Sequence, residues 1–100
     1  MADYWYVIGH KRNPRRVYEV MHENLFDGRS CRADLFESED LELRYLVRNR
    51  VAALRSSLGV IIVPDVTGRL DERGMYELEI AKIFEKEIKY VSGVMGDPAF

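Results

Sequence analysis

The chain has 100 residues, of which 47% are hydrophobic and 32% are charged, with a net charge of −2 at pH 7 and a pI near 5.7. This length and apolar content suit one folded domain without metal or disulfide support, and they exclude a disordered chain. The slight acidic excess argues against a duplex DNA-binding protein, which needs a broad basic surface.

The cellular setting follows from the single cysteine and the short apolar runs. Cys31 cannot form an intramolecular disulfide, and the sequence does not open with a charged leader followed by an apolar core. The longest aliphatic run, residues 60–63, is far too short to cross a bilayer. We therefore expect a cytoplasmic protein without a membrane span.

The first part of the chain predicts a strand, a loop and a helix. Residues 4–8 are continuously apolar, aromatic and β-branched, which predicts a strand buried on both faces. The basic loop 9–12 follows, and then Asn13 can cap a helix in which Pro14 takes the first position. The spacing predicts one apolar stripe on this helix, formed by Val17, Val20, Met21 and Leu25.

The middle of the chain predicts a second helix after an ambiguous segment. Residues 30–36 alternate apolar and polar side chains, which fits an edge strand or an irregular loop. Ser38 and the acidic residues after it begin a helix that ends by Gly59. Its predicted stripe is Leu43, Val47, Val51, Leu54 and Leu58. Arginines off the stripes of both helices are predicted to stay solvated: Arg15, Arg16, Arg44, Arg48, Arg50 and Arg55.

The last part predicts a central strand at residues 60–63, a loop at 65–74 and a third helix at 71–85. A final strand is predicted at residues 88–91. The third helix is expected to bury some combination of Met75, Tyr76, Ile80, Ile83 and Phe84.

This order predicts an α/β fold: a small flavodoxin-like or Rossmann-like open parallel sheet of about four strands with helices on both faces. Residues 1–92 are predicted to form a single domain, and residues 93–100 a loose tail. Ligands of such folds bind outside the carboxyl ends of the strands, where the strand order reverses. Loops 9–13 and 65–74 are therefore predicted to meet at one cleft.

The first loop is the candidate anion site. Backbone amides, a helix start and cationic side chains converge there, at Gly9, His10, Lys11 and Arg12. A phosphate group is the natural ligand, although the loop lacks the further glycines of a dinucleotide fingerprint or P-loop. A solvated basic loop is the alternative.

Glu77 is the candidate reactive carboxylate. It lies early in the third helix, where the positive helix end favours the ionised form that a nucleophile or electrostatic stabiliser needs. The alternative is an ordinary exposed helix residue, since glutamates are common in this region. His10 could bind phosphate or move a proton. No cysteine and histidine spacing predicts a metal site.

Two patterns carry a family resemblance. Residues 74–88 place an aromatic residue before a helix-borne glutamate, an alanine four residues on, a lysine and a hydrophobic strand: Tyr76, Glu77, Ala81, Lys86 and Ile88. The first strand and loop have the spacing Tyr-x-x-Gly-x-x-Arg, at Tyr6, Gly9 and Arg12. Both resemble the nucleoside 2-deoxyribosyltransferase superfamily, most closely its 2'-deoxynucleoside 5'-monophosphate N-glycosidases.

The resemblance implies a role for each matched residue. Glu77 would attack the anomeric carbon of a 2-deoxyribose, Arg12 and the Gly9 loop would hold the 5'-phosphate, and Tyr6 would orient the nucleophile or the sugar. Water or a second base would complete the reaction without a cofactor. The implied partner is a small deoxynucleotide or nucleotide, and a homodimer is expected because such enzymes commonly complete each other's sites.

The sequence departs from this family at one position. Relatives usually carry an aspartate in the helix before the third strand to assist the departing base, and residues 48–50 contain no carboxylate. Asp40, Asp65 and Asp71 are the candidate substitutes. The departure leaves two other hypotheses: a nucleotide-binding or sensor module without catalysis, and an interaction domain without a small ligand.

Overall fold

The computed structural model describes residues 4–23, 30–32 and 43–98, which form an α/β protein with a small parallel sheet and three helices. The elements are β1 (Tyr4–Gly9), α1 (Pro14–Glu23), β2 (Ser30–Arg32), α2 (Leu43–Ser56), β3 (Gly59–Val63), α3 (Glu72–Ile83) and β4 (Glu87–Tyr90). Within these ranges, no helix combines the length and the apolar character needed to cross a membrane.

The sheet is built on β1, β3 and β4, and the three-residue β2 pairs with the outer side of β1. The strand order is β2-β1-β3-β4 and every pairing is parallel. After β1 the chain forms β2 on one side of that strand and then crosses to form β3 on the other side. The strand order therefore reverses between β1 and β3. This reversal positions the candidate site, because a crevice opens at the carboxyl ends of two such strands.

Three predicted strands are confirmed to within one residue. Every residue of β1 and β3 is buried, as their continuous apolar runs predicted. Within the ambiguous segment, residues 30–32 form a strand, whereas residues 33–36 lie outside the described residues.

Helices cover both faces of the sheet, and each face has its own apolar layer. Alternate residues of a strand point to opposite faces, which divides the strand side chains between the two layers. On the α1 face the buried core is Trp5, Val7, Val17, Val20, Ile61, Val63 and Val91. On the face of α2 and α3 it is Tyr4, Tyr6, Ile8, Leu54, Val60, Ile62 and Ala81.

The buried side of α3 differs from the prediction. Met75, Tyr76 and Ile83 are exposed, and Ile80 and Phe84 are only half-buried. The fully buried positions are instead Gly74, Glu77 and Ala81. Apolar side chains occur around most of this helix, so their spacing could not select the side that packs on the sheet.

Two arginines that the sequence placed in solvent are buried. Arg16 has no exposed surface, and its Nε donates to the Ser92 carbonyl oxygen at 2.7 Å while its Nη1 pairs with Glu19. Arg50 is 6% exposed. Arg16 precedes buried Val20 by four residues and Arg50 precedes buried Leu54 by four, so each lies on the inner side of its helix.

Two glycines after β4 are hydrogen-bonded to α1 and to the residue before it. Asn13 Nδ2 donates to the carbonyl oxygens of Pro64 at 2.8 Å and Gly93 at 2.9 Å, so its side chain links two segments instead of capping α1. The Gly96 N–H donates to Glu19 at 2.9 Å. Gly93 and Gly96, in the segment predicted as a loose tail, are thus hydrogen-bonded to earlier parts of the chain.

Candidate functional site

A buried carboxylate lies between α3, β1 and α2. Glu77 is 4% exposed, and its Oε1 accepts a hydrogen bond of 2.9 Å from the Tyr6 hydroxyl group. Arg50 Nε lies 3.7 Å from the same oxygen. The structure thus brings together two candidate residues, Tyr6 and Glu77, and adds a buried cation from α2.

Tyr6 and Arg50 explain how a carboxylate can remain inside the fold. A buried ionised carboxylate without partners is strongly unfavourable, whereas a pair with a cation and a hydrogen-bond donor offsets much of that cost. Tyr6 is 1% exposed and Arg50 is 6% exposed, so bulk water screens these contacts little. Glu77 is therefore not the ordinary exposed helix residue of the alternative interpretation.

The loop after β1 is held by its own histidine. The His10 N–H donates to the Val63 carbonyl oxygen at 3.1 Å, and the Arg12 N–H donates to His10 Nδ1 at 3.0 Å. Since Nδ1 accepts a hydrogen bond, the proton of a neutral His10 is on Nε2, which lies 3.8 Å from Asp65 Oδ2. His10 is buried, while the side chains of Lys11 and Arg12 are exposed.

Asp71 joins the loop after β1 to the start of α3. Its Oδ2 accepts from the Lys11 N–H at 2.9 Å, and its Oδ1 caps the helix by accepting from the Gly74 N–H at 2.7 Å. Burial opposes ionisation of this carboxyl, but the two N–H groups, together with nearby positive charge such as that of Arg73, hold the pKa of Asp71 below its usual value. The predicted meeting of the two loops is thereby confirmed.

Asp65 organises the second loop. Its Oδ1 accepts from the Thr67 hydroxyl group at 2.6 Å, and from the N–H groups of Thr67 at 2.9 Å and Arg69 at 3.0 Å. The Thr67 hydroxyl group contributes most to lowering the pKa of Asp65, followed by the Arg69 N–H. Asp65 and Asp71 are therefore ionised at neutral pH, which disfavours both as general acids. The third candidate, Asp40, lies outside the described residues.

The carboxylate contacts the middle of β1, and the loop follows the carboxyl end of that strand. Tyr6 precedes Gly9 by three residues, a separation of roughly 10 Å along a strand. Glu77 follows the Asp71 cap by six residues, roughly 9 Å along a helix. Since Asp71 contacts Lys11, the start of α3 adjoins the loop and Glu77 lies further along the helix, inside the protein.

No protein-family model, curated protein or solved structure matches this chain. The family resemblance therefore depends on the quoted sequence patterns alone.

Sequence reasoning missed two residues of this region, Arg50 and Asn13. The spacing of four between Arg50 and Leu54 was the available signal for Arg50. No local signal marked the Asn13 side chain, since its carbonyl partners belong to residues 64 and 93. Among the residues that the structure describes, no cluster of three or more histidine, cysteine, aspartate or glutamate side chains could hold a metal ion.

Proposed function

We propose that this protein cleaves or exchanges the N-glycosidic bond of a 2'-deoxynucleoside 5'-monophosphate, with Glu77 as the nucleophile. The contact between Tyr6 and Glu77 carries the proposal. The family resemblance implies that Tyr6 orients either the nucleophile or the sugar, and a 2.9 Å hydrogen bond joins Tyr6 to Glu77, 71 positions away, inside the fold. A surface glutamate would have no need of such a partner.

The loop at residues 9–12 supports phosphate binding. It follows the carboxyl end of β1 at the reversal of strand order, and it leads directly into α1. Lys11 and Arg12 extend their charges into solvent, where they can meet a phosphate group. Their exposure distinguishes them from Arg16, whose guanidinium contacts Ser92 and Glu19 inside the protein.

The proposed chemistry takes two steps. The Glu77 carboxylate forms a bond to C1' of the sugar as the bond from C1' to the base breaks, and the electron pair of that bond leaves with the base. Water or a second base then forms a bond to C1' as the ester bond to Glu77 breaks, and the attacking group loses a proton to solvent. Tyr6 holds Oε1 in place during both steps. The departing base takes up a proton, and the low pKa values of Asp65 and Asp71 make solvent a better source than either residue.

A binding module without catalysis is the second candidate. The observation that favours it is the ion pair of Glu77 with Arg50, in the helix segment where relatives carry an aspartate. Such a pair can fix a buried carboxylate for structural reasons alone. In this case the loop at residues 9–12 would bind nucleotide, and Glu77 would not react.

We also propose the finer fold assignment, a flavodoxin-like or Rossmann-like open sheet of about four strands. The order β2-β1-β3-β4 and the helices on both faces support it. β2 is the weakest part of this assignment because only three of its residues pair with β1.

The test is base release from each common deoxynucleoside monophosphate and its ribonucleotide counterpart, measured by chromatography. We expect release by the unmodified chain and its loss in Glu77→Gln, which keeps the side-chain volume but removes the nucleophilic charge. Glu79→Gln is the matched control, since Glu79 lies on the same helix and is exposed. It is expected to retain activity.

Three results separate the candidates. Release that persists in Glu77→Gln would exclude the nucleophile. Nucleotide binding without release, measured by calorimetry, would support the binding module. If the protein neither releases base nor binds nucleotide, both candidate functions are excluded and an interaction domain is favoured.

A further inference from the structure

We infer that Arg50 is a positioning residue that keeps Glu77 ionised inside the protein and thereby sets the acidic limit of the pH range in which the carboxylate can react. This inference deepens the proposed function. Its ionisation part concerns the folded protein alone and can be measured without any substrate.

Geometry is the first step. Arg50 Nε lies 3.7 Å from Glu77 Oε1, and both side chains are more than nine-tenths buried. An opposite charge at this range favours the ionised form of a carboxyl group, and burial strengthens the attraction because little water screens it.

The second step compares Arg50 with the other groups that face Glu77. The Tyr6 hydroxyl group donates to the same oxygen but carries no charge, so the opposite charge at this oxygen comes from Arg50. The charged side chains described nearest along α3, Arg73 and Glu79, are half-buried and exposed respectively. Arg50 is thus the buried cation that α2 provides to this carboxylate.

The third step is chemical. An arginine guanidinium does not lose its proton in proteins, so Arg50 cannot serve as the acid that protonates a departing base. A permanent positive charge instead keeps its neighbour deprotonated, which is what a carboxylate nucleophile requires. A residue in the helix segment where relatives carry an acid would then act on the nucleophile and not on the leaving group.

The direct experiment is a pH titration of the full chain labelled with carbon-13 at the glutamate side-chain carboxyl groups, followed by NMR. Comparison with Glu77→Gln identifies the Glu77 signal. In Arg50→Gln we expect the midpoint of the Glu77 titration to move upward by about one pH unit or more, which is about tenfold in the ionised fraction below the midpoint. Arg50→Lys, which keeps the charge, should recover part of this shift.

The control is Arg55→Gln, because Arg55 is exposed on the same helix. It should leave the Glu77 signal unchanged. Should Arg50→Gln fail to fold, the titration of the unmodified chain decides: a Glu77 midpoint below the ordinary glutamate value of 4.5 supports the inference, and one at or above that value would overturn it. A folded Arg50→Gln with the midpoint of the unmodified chain would also overturn it.

Activity gives a second readout if the unmodified chain releases base. The acidic limb of its pH profile should move upward in Arg50→Gln and stay in place in Arg55→Gln. If the unmodified chain releases no base, the proposed function is refuted. The NMR titration still decides whether Arg50 keeps Glu77 ionised. An acidic limb that does not move in folded Arg50→Gln would contradict the role of Arg50 in the reaction.

Discussion

Replacing Tyr6 with phenylalanine removes one oxygen atom and one buried hydrogen bond. That bond spans 2.9 Å from the Tyr6 hydroxyl group to Glu77 Oε1, and both residues are almost fully buried. A hydrogen bond to a charged group contributes about 1.5–3 kcal/mol, compared with about 0.5–1.5 kcal/mol for one between neutral groups. We therefore expect Tyr6→Phe to lower the free energy of unfolding at pH 7 by about 1.5–3 kcal/mol.

Tyr4→Phe is the matched control on the same strand. The Tyr4 hydroxyl group donates to the neutral Ala53 carbonyl oxygen at 2.6 Å, so its loss should cost about 0.5–1.5 kcal/mol. Urea denaturation of both variants, each with and without Glu77→Gln, gives two double-mutant cycles. The cycle of Tyr6 with Glu77 should show coupling of about 1 kcal/mol, and that of Tyr4 with Glu77 should show little. If Tyr6→Phe and Tyr4→Phe lowered the free energy of unfolding equally, and Tyr6 showed no coupling with Glu77, the acceptor of the Tyr6 hydroxyl group would not be charged.

Two further changes test the junction of the loops. Asp71→Asn should cost about 1 kcal/mol at neutral pH, because a neutral amide replaces the carboxylate that accepts from Lys11 and Gly74. The lowered pKa of Asp71 means that its extra stabilisation is present above the ordinary value of 3.8 and is lost as the pH falls through the folded value. Unfolding curves of the two proteins should therefore converge in acid, and a constant difference would contradict this role. Gly93→Ala should cost about 1–3 kcal/mol or more in the same assay, since the added Cβ would lie 2.0 Å from the Asp65 carbonyl oxygen. An unchanged unfolding midpoint would show that residues 93 and 65 are not in contact.

The central strands were predictable because the local sequence pattern is enough to indicate their secondary structure. Residues 60–63 and 4–8 are short apolar runs rich in β-branched or aromatic side chains, which is typical of a strand covered on both faces. Pro14 likewise marked the start of α1 by a purely local property, its missing N–H group. The two loops were predicted to meet from topology alone, and the contact of Lys11 with Asp71 confirms it.

The buried charges were not predictable because they depend on partners distant in sequence. Arg50 is buried next to Glu77, which is 27 positions away, and Arg16 donates to the Ser92 carbonyl oxygen 76 positions away. Composition favours solvent for any arginine, and only the partner reverses that preference. The packed side of α3 was missed for a related reason: a glycine, a glutamate and an alanine face the sheet, while larger apolar residues such as Met75 and Tyr76 face outward.

A trapped glycosyl-enzyme ester would test the role of Glu77 most directly. A deoxynucleoside monophosphate with fluorine at C2' slows breakdown of such an ester, because electron withdrawal destabilises the oxocarbenium-like transition state. After incubation and proteolysis, mass spectrometry should find the sugar phosphate on the peptide that contains residue 77, and Glu77→Gln should abolish it. An adduct on a different residue, or release of base from the unmodified chain without any adduct, would contradict a covalent role for this glutamate.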